Sequence, residues 1–232
     1  MLVLRGRFHR CRALTVSYWE DPEVVERFAA RPPDARLVAL LTGAPPHTRV
    51  LDLGCAGGRN TEWLARAGLD VWACDSAAAM VARTRARIAP YLGEAEARRR
   101  VQQCRMDDLR PFETGAFDLV VALGVYHEAT DVAEWHRALA ETARVLTPGG
   151  RLLVQQFSPR SDPTGQGIRW LADHVVEIPG PRPRRMVLLE PEELDALVAG
   201  HGFTPLAPTT ATRRPTDLGG HWVNVHGLYV RT

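Results

Sequence analysis

From Val50 onward, short apolar runs alternate with longer stretches whose apolar residues recur every three or four positions. Short runs bounded by turn residues suit strands buried on both faces, and the 3.6-residue period between them suits helices laid across those strands. The alternation predicts a parallel sheet covered by helices. Strands are expected at RVLDLGC 49–55, LDVWACD 69–75, RVQQCRM 100–106, FDLVVAL 117–123 and RLLVQQF 151–157, with helices near 59–67, 76–89 and 131–146. Trp135, Leu139, Ala143 and Leu146 form one apolar stripe on the last helix, as core packing requires. Thr147-Pro148-Gly149-Gly150 then stops it.

At roughly 150 residues per domain, 232 residues suit one domain with an insertion. Residues 1–15 are expected as a flexible N-terminal tail and 16–232 as a single domain. Within it, 16–48 reads as lid helices, 49–157 as a ligand-binding core, and 191–232 as a C-terminal helix with strand-like runs near 203–209 and 222–231. Asp21 before Pro22 makes an N-cap and first-turn proline for the first lid helix. Segment 158–190, with Pro159, Pro163, Pro179, Pro181 and Pro183, is expected to carry little regular structure, and such a run inside a compact chain is usually functional.

The basic residues number 29, all Arg, against 27 acidic, for a net charge of +2. That balance lacks the broad basic footprint of a nucleic-acid binder, and the absence of Lys excludes any catalytic lysine. Cys11, Cys55, Cys74 and Cys104 form no C-x-x-C pair, so reduced thiols are expected, with neither a disulfide framework nor a metal site. No apolar run reaches the roughly 18 residues of a membrane span, and a cytoplasmic location is expected.

Residues 50–61 read VLDLGCAGGRNT, a strand running into Gly54, Gly57 and Gly58 and then a helix. Glycines at such a turn let the backbone approach a ligand at the carboxyl edge of a parallel sheet. A dinucleotide fingerprint needs glycine where Ala56 and Arg59 stand, and a hydrolase elbow needs a serine that is missing. The D-L-G-C-A-G-G run instead resembles motif I of the class I S-adenosylmethionine-dependent methyltransferases, with Ala56 replacing the middle glycine. The resemblance spans about residues 48–157, through Asp75 closing the second strand, MDDLRPF at 106–112, FDLVVALGVYHEATD at 117–131 and RVLTPGGRLLV at 144–154.

The resemblance implies a Rossmann-like, seven-stranded, mostly parallel sheet with helices on both faces and an antiparallel C-terminal strand. It implies S-adenosylmethionine as cofactor, held by Asp52, Gly54, Cys55, Ala56 and Gly58 of the turn, by Asp75, Ser76 and Met80, and by Leu123. Asp75 would accept the ribose hydroxyls, since a carboxylate is acceptor-only and takes two donors at once; Met80 would touch the adenine edge or fill the core. Asp107 is expected to meet the adenine amine, with Asp108 as the alternative.

Past the fourth strand there is no N-P-P-Y run and no Pro-Cys pair, which disfavours DNA bases and pyrimidine carbons and favours a small-molecule acceptor. His127 is the expected general base or acceptor-orienting group, with Tyr126 beside it. Tyr18, Trp19, Glu128, Arg160 and Trp170 are expected around the acceptor, with the 158–190 segment and the lid forming its pocket. A monomer or homodimer is expected. A non-catalytic cofactor-binding module, an RNA methyltransferase using Arg182, Arg184 and Arg185, and an NAD oxidoreductase stand as alternatives.

Overall fold

The computed structural model describes residues 17–180 and 183–232; the expected tail at 1–15, Cys11, Pro181 and Arg182 lie outside the described residues. Five parallel strands form the centre: β1 (Arg49–Leu53), β2 (Asp70–Asp75), β3 (Val101–Gln103), β4 (Phe117–Leu123) and β5 (Leu146–Phe157). Neighbouring residues along each strand serve opposite faces, as a period of two demands. Leu51, Val120 and Leu152 join one apolar cluster, and Val50, Leu119 and Leu153 the other.

Helices α1 (Pro22–Ala29) and α2 (Ala35–Leu41) precede the sheet, and α3 (Arg59–Arg66), α4 (Ala78–Leu92), α5 (Glu94–Arg100) and α6 (Val132–Val145) cross between strands. Their starts follow from side-chain acceptors: Asp21 takes the Glu23 amide at 3.1 Å, Asp34 that of Arg36 at 3.0 Å, and Asp131 that of Glu134 at 2.7 Å. The third strand is shorter than the expected 100–106. Arg100 ends α5 instead, drawn down by Glu96 and Asp70.

The segment expected to lack regular structure holds a separate three-stranded antiparallel sheet, β6 (Arg169–Ala172), β7 (Val175–Ile178) and β8 (Arg184–Val187). Pro159, Pro163, Pro179 and Pro183 fall between the strands, where a missing N–H costs no ladder bond. One face of this sheet, with Val176, Ile178 and Met186, packs on Phe157 and Trp222, while Val175 and Val187 enter the main core. Burial on both faces of β7 blurs the alternation that announces a strand, while β6 is exposed throughout.

After α7 (Pro191–Ala199), opened by a Glu190–Glu193 capping box, come β9 (Phe203–Pro205), β10 (Thr210–Pro215) and β11 (His221–Arg231). The main sheet runs β10-β11-β5-β4-β1-β2-β3, with β11 antiparallel to β5 as expected. It holds eight strands rather than seven, because two short strands, β9 and β10, share the outer edge of β11. The carboxyl ends of β1, β2, β4 and β5 lie along one edge, beneath the N-terminal helices and the small sheet.

Candidate active site

At the end of β1, Gly54 takes φ +71° and Gly58 φ +79°. A Cβ on Gly54 would lie 2.8 Å from the Val125 side chain, and one on Gly58 2.9 Å from Thr84 Oγ1, so neither position has room for a side chain. Ala56 takes φ +49° itself. A left-handed alanine costs about 1–2 kcal/mol, and the turn is held by the Ala56 amide donating to Asp75 Oδ2 at 2.9 Å and by Thr84 Oγ1 donating to its carbonyl at 2.7 Å. Asp75 Oδ1 accepts the Ala77 amide at 3.0 Å. Burial raises the Asp75 pKa against these backbone donors.

Asp52 and Cys55 stand beneath the turn rather than on it. Asp52 is 2% exposed, accepts the Thr61 hydroxyl at 2.6 Å, and is lifted by burial to a pKa of about 6. Cys55 is buried against Thr84, and burial pushes its thiol pKa up.

Beyond β2 and β3, an open cleft of about 590 Å³ is lined by Ser76, Gln103, Cys104, Arg105, Asp108 and Arg110. Asp107 turns away from it: its carboxylate accepts from Arg105 Nε at 2.9 Å and from Arg137 Nη2 at 3.2 Å, toward α6. Asp108 lies at the cleft and pairs with Arg110 at 2.6 Å. Met80 is fully buried in an apolar cluster with Val24, Val25 and Ala77, against which Trp19 and Ala56 pack.

At the end of β4, Leu123 is partly buried and Gly124 takes φ +96°. Tyr126 faces the core. It has no exposed surface, its hydroxyl lies 2.6 Å from Thr142 Oγ1, and burial raises its pKa, so it packs beneath the site instead of reaching an acceptor. His127 lies above it, 3% exposed, with its ring centroid 4.2 Å from that of Phe157, which in turn stacks on Trp222 at 3.9 Å. His127 Nε2 is 3.3 Å from Glu128 Oε1, while its Nδ1 is buried with no partner among the described residues.

Glu128 gathers the surrounding elements. Its carboxylate accepts Trp19 Nε1 at 3.3 Å, the Arg184 guanidinium of β8, and His127. Burial opposes its charge, yet His127 and Arg184 outweigh that and hold its pKa down to about 2. Arg184 also lies over the rings of Tyr18 and Trp19, at 4.8 and 5.1 Å. The N-terminal segment is pinned a second time by Glu20, whose carboxylate accepts the Ala78 and Ala79 amides at 2.7 and 2.9 Å. Sequence reasoning missed Glu20, Phe157 and Trp222, since no spacing along the chain marks them. Arg160 pairs with Glu190 at 2.8 Å, and Trp170 is 55% exposed on β6; neither touches His127.

A family model described as a methyltransferase domain matches residues 51–154. The demethylmenaquinone methyltransferase of Parafrankia sp. is 32% identical over 209 residues, covering 83% of this chain and 77% of that one. That of Beutenbergia cavernae is 38% identical over 120 residues, covering 50% of this chain and 43% of that one, so the chain spans under half the length of that relative. The 1,6-didemethyltoxoflavin-N1-methyltransferase of Burkholderia thailandensis, solved with 1,6-didemethyltoxoflavin and S-adenosylhomocysteine, superimposes with a TM-score of 0.60 at 25% identity, covering 93% of this chain and 81% of that one. A turn held by a strand-end carboxylate, a parallel sheet closed by an antiparallel strand, and a relative matched over most of both chains agree: the chain belongs to the class I S-adenosylmethionine-dependent methyltransferases.

Proposed function

We propose that the chain transfers a methyl group from S-adenosylmethionine to a small-molecule acceptor by in-line displacement, with His127 taking the acceptor's proton. The observation that carries this reading is the buried, unpartnered Nδ1 of His127 beside an ionised Glu128. A carboxylate accepting from Nε2 holds the hydrogen on that nitrogen and leaves Nδ1 as a lone-pair acceptor, the same logic by which a carboxylate orients a catalytic imidazole.

The residues around the glycine turn fit the cofactor. Asp75 spends one lone pair of each oxygen on a backbone amide and keeps others for a vicinal diol. Ser76 and Asp108 line the adjoining cleft, which favours Asp108 over Asp107 for the adenine amine. Bound there, the cofactor supplies an electrophilic methyl group on a sulfonium whose sulfur keeps the electron pair when the bond breaks. The chain's own part is positioning, which accounts for about 7–11 kcal/mol of barrier in well-aligned systems. Trp19, Glu128 and Arg184 exclude water from the β4 end, and His127 Nδ1 receives the proton.

A small acceptor fits this enclosure better than a duplex or folded RNA, because lid and small sheet meet over the β4 end. The relatives above are named for demethylmenaquinone and 1,6-didemethyltoxoflavin, both small molecules. We place the acceptor between the lid and the small sheet, with Arg160 and Trp170 at its outer rim. The test is an acceptor panel read by S-adenosylhomocysteine release: the reading fails if the protein binds S-adenosylmethionine yet no member raises release above the acceptor-free rate.

A further inference from the structure

Across the Trp19–Phe28 ring pair from the Glu128 clasp stand arginines that make no ion pair among the described residues. Arg31, just after α1, lays its guanidinium 4.2 Å from the Phe28 ring centroid and makes no ion pair among the described residues. Arg214, on the fully exposed strand β10, has no side-chain partner among the described residues, and its register partner on β11 is Trp222. Cross-strand partners project from the same face, so Arg214 stands beside the aromatic slab that Trp222 and Phe157 form against His127. Arg59, the first residue of α3, donates to the Pro32 carbonyl at 2.7 Å, which holds it under Arg31.

The nearest acids are already committed. Asp34 gives both oxygens to Arg36, and Asp52 is buried under the turn. The cations also sense one another: burial and then the charges of Arg214, Arg59 and Arg27 lower the Arg31 pKa. Asp52 and Asp34 act electrostatically on Arg59, whereas Arg31 and Arg214 form no ion pair among the described residues; like charges so placed raise the free energy of the empty site, and an anion relieves it.

We propose that Arg31 and Arg214, backed by Arg59, bind the carboxylate or phosphate of an aromatic acceptor whose ring lies along the Trp222–Phe157 stack. This rests on the methyltransferase reading and names its substrate class: a planar aromatic anion bearing the nucleophile to be methylated. A guanidinium pair suits such a group because its planar donors match two oxygens at once.

The experiment titrates protein saturated with S-adenosylhomocysteine with 3-hydroxybenzoate, 3-hydroxyphenyl phosphate and the neutral 3-hydroxybenzamide, by calorimetry. One of the two anions is expected to bind roughly tenfold or more tighter than the amide, the discrimination a charge-assisted bond gives. Which anion does so separates carboxylate from phosphate. Arg31→Gln and Arg214→Gln should each erase that preference while leaving S-adenosylmethionine affinity within twofold.

Equal binding of anion and amide, or binding of neither, overturns the proposal, as does a loss of cofactor affinity in both variants, which would assign the arginines to the cofactor's own carboxylate. Binding of a single-stranded RNA 12-mer that Arg214→Gln abolishes, with no anion preference, overturns it in favour of nucleic acid. If instead S-adenosylmethionine itself does not bind the wild-type protein, it is the methyltransferase reading that fails.

Discussion

The two banks of the cleft are built by different means. On the bank proposed for the cofactor, the contacts are backbone groups and one carboxylate at the ends of the adjacent β1 and β2: the Ala56 and Ala77 amides meet Asp75. On the bank proposed for the acceptor, side chains distant in sequence converge. Trp19 and Arg184 reach Glu128 from 109 and 56 residues away. Backbone geometry survives most side-chain changes, whereas a half-buried carboxylate serving three donors takes a hydrogen-bond or ion-pair partner from each of them when it is lost. On the proposed assignment, cofactor binding is expected to tolerate side-chain changes that acceptor geometry does not.

The largest expected effect separates the banks outright. His127→Ala should lower turnover by roughly 10²–10⁴-fold and leave cofactor affinity nearly unchanged. A turnover loss below threefold with the same pH profile would remove His127 from proton transfer and erase the proposed division of labour.

The next test lies under the cofactor bank. Asp52, raised to about 6, binds a proton in the folded state at pH values where the unfolded chain, with an ordinary carboxylate near 3.9, has lost it. Its share of the unfolding free energy is therefore full below about pH 4 and falls by about 3 kcal/mol as pH rises through 6. Asp52→Asn should flatten that portion of the pH profile in urea unfolding; an unchanged slope would place the burial cost elsewhere.

Asp75→Ala should weaken S-adenosylmethionine binding by about 1.5–3 kcal/mol, measured calorimetrically, while the proposed anion preference of the opposite bank persists. If affinity stays within twofold, the turn does not depend on this carboxylate. Smallest of all, Ala56→Gly relieves the left-handed alanine at φ +49° but frees the unfolded chain, for a net gain under about 1 kcal/mol. Thermal melting decides the sign, and a destabilised glycine variant would mean that Ala56 is not strained.

The same contrast explains what was legible in the residues alone. The strand ends, the glycine turn and Asp75 follow from local periodicity and backbone conformation, which neighbours in sequence determine. Tyr126 was placed correctly along the chain but not around it: in the short helical turn after β4 its hydroxyl swings into α6 toward Thr142, and a one-residue rotation decides between core and cleft. The Glu128 clasp and the small sheet were not legible, because the first needs Trp19 and Arg184 from distant parts of the chain and the second buries both faces of β7, which blurs the two-residue period, and exposes β6 throughout. The split outer strand arose likewise from pairing with β11, where Phe203–Pro205 and Thr210–Pro215 dock separately.

Helix α4 begins at Ala78 after Ala77, which has no side chain able to cap it. The acceptor for its first free amides comes from Glu20, in the lid. The segment proposed as a lid thus supplies the end-piece of a core helix, and any opening of it would strip that helix of its terminal partner. Deuterium uptake at the Ala78 and Ala79 amides becomes a clock for the opening rate, readable residue by residue without any ligand. If that rate matches the steady-state turnover number, exit of S-adenosylhomocysteine past the lid, rather than methyl transfer, sets the pace of the cycle.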